Sequence, residues 1–148
     1  MKKLIGLFIA ALVCAASAIA QEDPAAAPDE TNDITLPAPR QAGGMPLLSA
    51  LKLRQSTRSF SEKPLSAEAL SSLLWAAFGV NRPENGMRTA ASSYNCQDII
   101  LYVFTDKGVW TYDAAANKLA AVKAGDHRKL AGMQDFVWSA PLSIVYVS

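Results

Sequence analysis

No residue before about position 45 is expected to belong to a segment that helps build a water-soluble core, so the fold is expected to come from residues 45–148. Lys2 and Lys3 precede an apolar run from Leu4 to Ala20 that closes on Ala18-Ile19-Ala20. A short basic stretch, an apolar stretch and a small-x-small end make a secretory signal peptide of residues 1–20, cut before Gln21. A membrane anchor is the competing reading, because the run is seventeen residues long. The alanine-rich end and the polar continuation favour cleavage, which implies export to the periplasm or beyond with no membrane association afterwards. Residues 21–44 are rich in Pro, Ala, Asp and Glu without apolar periodicity. Such a composition buries too little surface to offset the entropy of ordering, so a flexible tether is expected there. Pro37, Pro39, Gly43 and Gly44 mark its end.

Loss of the signal peptide removes two lysines and no acid. The 14 Lys+Arg and 13 Asp+Glu of the whole chain become 12 and 13, a net charge of −1. A protein with no basic excess cannot bind nucleic acid by bulk counterion release, so no nucleic-acid partner is expected. Cleavage also removes Cys14 and leaves Cys96 alone, so no internal disulfide can form and packing must hold the fold.

The segment from Pro46 to Arg54 places Leu47, Leu48 and Leu51 at helical spacing. A second helix is expected after the N-cap residue Ser66, with Leu65 stapled onto Leu70, a buried stripe of Leu70, Leu73, Leu74 and Ala77, and Gly79 as the C′ stop. Residues 80–97 read as a long irregular polar loop, the kind that carries function. Strands follow at Asp98–Phe104, Val109–Tyr112 and Leu119–Val122, then a short helix near His127–Met133. Leu142–Val147 is a continuous apolar run, expected as a buried strand with neighbours on both edges. Helices first and a hairpin later indicate an α+β domain.

Two polar clusters carry the candidate chemistry. Arg54, Gln55, Ser56, Thr57 and Arg58 bring two guanidinium groups and two hydroxyls to a helix end, a donor set suited to phosphate. A solvated turn with surface arginines explains the same residues. Arg88, Thr89, Ser92, Ser93, Asn95 and Gln97 supply hydroxyls and amides that suit the edge of a pyrimidine-dione. A polar loop bonding to its own backbone is the alternative. His127 is the only histidine, and no His, Cys and carboxylate set has metal-ligand spacing, so no metal site is expected.

Taken in order, the two clusters resemble the signatures of the nitroreductase superfamily, and most of all its SagB/ThcOx-type dehydrogenase branch. The first signature, Arg-x-Ser-x-Arg-x-Phe, is met by Arg54, Ser56, Arg58 and Phe60. The second, a Ser-Ser-x-Asn-x-Gln run entering a strand, is met by Ser92, Ser93, Asn95 and Gln97, with Ala91 where a proline is common. The resemblance implies a mixed sheet flanked by helices and FMN bound at a homodimer interface. It also implies a small organic substrate, with NAD(P)H as a candidate electron donor. By resemblance, Arg54 and Ser56 hold the FMN phosphate and Gln55 adds a contact. Arg58 then sits at the N1/O2 edge of the ring, and Ser93, Asn95 and Gln97 read the pyrimidine edge or ribityl chain. A cation at that edge stabilises the charge of reduced flavin. No catalytic residue is assigned. Family members continue past the strand matched by Leu142–Val147, so residues 45–148 are expected to be the N-terminal part of such a domain, its C-terminal part missing. A non-catalytic remnant of the fold without flavin is the alternative function.

Overall fold

The computed structural model describes residues 31–61 and 63–148. The expected signal peptide and residues 21–30 of the expected tether lie outside the described residues. The chain runs β1 (Ile34–Thr35), α1 (Leu47–Leu53), α2 (Ala67–Phe78), β2 (Val80–Arg82), β3 (Met87–Arg88), β4 (Ile100–Phe104), β5 (Gly108–Asp113), β6 (Lys118–Ala124), α3 (Asp135–Ser139) and β7 (Ser143–Val147). Five strands form one sheet in the order β1-β6-β5-β4-β7, and β2 and β3 form a separate hairpin. The α+β class holds. Within the described residues every pairing is antiparallel, where a mixed sheet was expected.

α2 is the element most fully determined by local sequence. Ser66 caps it, its Oγ accepting the Ala69 N–H at 3.2 Å. Glu68 lies in the first turn, where the helix dipole favours an acid. The buried face is rotated from the expected stripe: Ser71, Leu74 and Phe78 are buried, whereas Leu73 is exposed. Leu74 and Phe78 pack with Leu101 and Val103, the alternate residues of β4 that face one side of the sheet. Leu36, Trp110 and Leu119 complete this core. Gly79 ends the helix, but in extended backbone (φ −74°), not the left-handed form of a C′ glycine. It is glycine because a Cβ there would lie 2.6 Å from the Trp75 carbonyl oxygen and 2.7 Å from its Cα. α1 contrasts with α2, since none of its residues is buried.

Residues 31–40 correct the expectation of a tether reaching to residue 44. Ile34 pairs with Leu119 and Thr35 with Lys118, adding β1 to the sheet edge. Leu36 enters the core. The Trp110 indole donates to the Asn32 carbonyl at 3.1 Å, and the Asp33 carboxylate accepts the Ala121 N–H at 2.8 Å. That backbone bond, with the Lys118 ammonium at 3.3 Å, holds the Asp33 carboxyl below its ordinary range. Strand pairing, one core leucine and two hydrogen bonds to partners distant in sequence order a segment whose own composition argues for disorder.

β7 is also different from expectation. It pairs with β4 alone among the described strands, so it lies at the sheet edge, with Tyr146 and Val147 exposed. The short helix expected near His127–Met133 is a 3₁₀ turn at Arg128–Leu130 followed by α3. Arg128 fixes this turn. Its Nε and one terminal nitrogen donate to the two Asp126 carboxylate oxygens at 2.9 and 2.6 Å, and the other donates to the Ala140 carbonyl at 2.9 Å. The guanidinium lowers the Asp126 carboxyl from 3.8 to about 2. A carboxyl lowered by folding stabilises the fold above its unfolded value, and that stability is lost as pH falls from about 4 towards about 2. Asp126→Asn should therefore flatten the acid limb of the unfolding curve in this window. Solvent at the exposed Asp126 limits the change to under about 1 kcal/mol. Urea unfolding of both forms between pH 2 and 5 measures it, and identical acid limbs would refute the role.

Candidate functional site

The two polar clusters sit on loops that the helices and sheet hold at different places. Arg54 caps α1 through its backbone, its N–H donating to the Ala50 and Leu51 carbonyls. The chain then runs without regular structure, and Arg54, Gln55, Ser56 and Arg58 are all exposed. Neither arginine joins an ion pair among those of the described residues. The Arg58 guanidinium lies 5.8 Å from the centre of the Phe136 ring, and Phe60 packs on the same ring at 6.4 Å. Arg58, Asp135, Phe136 and Ser139 line an open cavity of about 430 Å³. The contribution of α3 to this cavity was not foreseen, because the sequence placed a helix several residues too early and left Asp135–Ser139 unassigned. Trp138 and Asp135 near a predicted helix end were the available hint.

The second cluster is the loop between β3 and β4, and it is less irregular than expected. It begins in the β2–β3 hairpin and contains a 3₁₀ turn at Ser93–Asn95. Thr89 ties it to the end of α2, its N–H donating to the Gly79 carbonyl at 2.9 Å and its hydroxyl to the Trp75 carbonyl at 3.1 Å. Tyr94, Asn95 and Gln97 all have left-handed backbone, with φ of 49°, 55° and 50°. Asparagine tolerates that conformation; tyrosine and glutamine adopt it at a cost of about 1 kcal/mol each, so surrounding bonds must hold them there. For Gln97 those bonds are visible. The Gln97 N–H donates to Ser92 Oγ at 3.0 Å. The Gln97 side-chain amide donates to the Gly86 carbonyl at 3.1 Å and to Asn95 Oδ1 at 3.0 Å, and its oxygen accepts Arg88 Nε at 2.9 Å.

Of the residues expected to hold a cofactor, Ser93 and Asn95 are exposed, whereas the Gln97 side chain is engaged inside the loop. Arg82, Arg88, Ser92 and Asn95 help line a cavity of about 230 Å³. It shares no residue with the cavity at Arg58, so each cluster faces its own space. No group of three His, Cys, Asp or Glu able to hold a metal occurs among the described residues. No helix among them is long and apolar enough to cross a membrane.

An antiparallel sheet backed by a capped helix, with two donor-rich loops beside it, defines an α+β domain. The chain belongs to the nitroreductase family, whose model matches residues 51–147 and thus includes every residue of both clusters. Members of this family are oxidoreductases that typically bind FMN and generally work as dimers on small-molecule substrates. The structure is similar to the crystal structure of a protein described as a nitroreductase from Ralstonia eutropha JMP134. The two are 46% identical with a TM-score of 0.73 over 83% of this chain. The chain spans 58% of the length of that protein. No curated protein matches it.

Proposed function

We propose that this chain is an exported FMN-dependent oxidoreductase of the nitroreductase type, of the SagB/ThcOx-type dehydrogenase branch. The observation that carries the reading is the pairing of two donor sets inside one family-matched region. One is an exposed arginine-rich loop and the other a strained amide loop braced by its own hydrogen bonds. The donor chemistry fits FMN. Arg54 and Ser56, with Gln55 beside them, offer the charge and hydroxyl that a phosphate monoester requires. Arg58, steadied on Phe136, supplies a fixed cation for the negative charge that reduced flavin gains. Ser93 and Asn95 present hydroxyl and amide groups to a ring edge, and Gln97 supports Asn95 from within the loop. Bound flavin supplies hydride transfer; the protein binds it, orients it and sets the local charge.

Export follows from the signal peptide of residues 1–20, and a homodimer from the family. NAD(P)H is the donor that the family resemblance suggests, whereas export argues for another electron donor or for use as an oxidase; a small organic molecule is the substrate. The full chain mixed with FMN and freed of excess by gel filtration should stay yellow. A colourless protein fraction would defeat the proposal.

A further inference from the structure

We propose that Arg88 is a positioning residue: acting through Gln97, it turns the Asn95 side chain so that Asn95 offers its NH2 group, not its oxygen, to a ligand. The inference rests on the reading of this loop as part of a flavin site and names the chemistry of the ligand group that Asn95 meets, a hydrogen-bond acceptor such as a ring carbonyl.

The argument is one of hydrogen-bond polarity. Arginine has five donors and no acceptor, so the Gln97 atom 2.9 Å from Arg88 Nε must be the amide oxygen. The Gln97 nitrogen then faces the Gly86 carbonyl at 3.1 Å, an acceptor only, which fixes the same orientation independently. That nitrogen has a second proton, directed at the Asn95 side chain at 3.0 Å, and it can be received only by oxygen. The Asn95 oxygen is thereby turned inward, and its NH2 group is left for the cavity that Asn95 lines. The left-handed backbone at Asn95 and Gln97 holds the two side chains in register.

Arg88 can serve as the origin of this chain because it is itself fixed. Its guanidinium lies 5.1 Å from the centre of the buried Phe78 ring at the end of α2. One of its terminal nitrogens is buried without a hydrogen-bond partner, so stacking on the ring and the bond to Gln97 carry its placement. A bracing role for Arg88 alone would need the stack on Phe78 and nothing from the direction of the Gln97 amide.

Gln97→Glu separates the two. It retains an acceptor for Arg88 and leaves the stack intact, but it gives up the bond to the Gly86 carbonyl and presents oxygen to Asn95, whose NH2 must then turn inward. In the ligand-free full chain, the Asn95 side-chain NH2 signals in ¹⁵N-correlated NMR should shift, with one proton exchanging more slowly. Riboflavin, which has the ring without the phosphate, should bind about tenfold more weakly, the loss of about one net hydrogen bond. Arg88→Met should move the Gln97 and Asn95 side-chain signals together, with thermal melting confirming that each variant is folded. Asn95 signals unmoved in Gln97→Glu would overturn the proposal, as would unchanged riboflavin affinity. If the wild-type chain binds no flavin, the flavin reading fails, and the NMR measurement still decides the orientation of Asn95.

Discussion

Replacing Asn117 by alanine is expected to destabilise the domain by about 3 kcal/mol and to release the segment around Leu36 from the sheet. Among the described residues, Asn117 ties the segment after β1 to α2 and β5, its side chain bonding Pro37, Ser71 and Tyr112. Its amide nitrogen donates to the Pro37 carbonyl at 2.8 Å, and its oxygen accepts the Tyr112 hydroxyl at 3.1 Å. Its backbone carbonyl accepts the Leu36 N–H at 3.1 Å. Alanine would leave the half-buried Tyr112 hydroxyl without this acceptor and remove a donor from the strap, at about 1–3 kcal/mol for each group left unsatisfied. It would also have to adopt the φ of 48° that Asn117 has at the β5–β6 turn, costing about 1 kcal/mol more. Asn117→Gly keeps the backbone free and isolates the loss of the bonds. Urea unfolding measures both. Faster amide exchange at Leu36 would show that the strap opens first, and unaltered unfolding midpoints would refute the assignment.

The second large effect is expected in cofactor discrimination. If Arg54 and Ser56 hold a phosphate, Arg54→Ala should weaken FMN binding by about 10- to 100-fold, the worth of a charge-assisted hydrogen bond, and leave riboflavin binding almost unchanged. Arg58→Ala should weaken both, because its partner is the ring that the two flavins share. Arg54 is exposed and caps α1 only through its backbone, so its side chain can be removed without disturbing the helix end. Equal losses for the two flavins in Arg54→Ala would move the phosphate elsewhere.

The sequence made legible those parts whose cause is local. The cap at Ser66, the apolar spacing of α2 and the β-branched runs of β4 and β5 are short-range signals, and each element formed near its expected place. β1 was hidden because it is two residues long and exists only through its pairing with β6. Gly79 was seen as a terminator, but its physical reason, the approach of Trp75, depends on how the chain leaves the helix. β7 read as central from its apolar run, although its composition cannot say how many neighbours it has. Residue types along the sequence were enough to single out both polar loops as candidates. The inward role of Gln97 and the use of Phe136 as a platform for Arg58 need contacts nine and seventy-eight positions apart in sequence, and no pattern along the chain encodes them.

The proposed function requires one chain to carry both phosphate-binding and ring-binding residues of a flavin site. Fluorescence titration of the full chain with FMN and, separately, with riboflavin tests it most directly. Saturable binding of both, with FMN at least about tenfold tighter, is the predicted result. Absence of saturable FMN binding, or equal affinity for the two flavins, would contradict it.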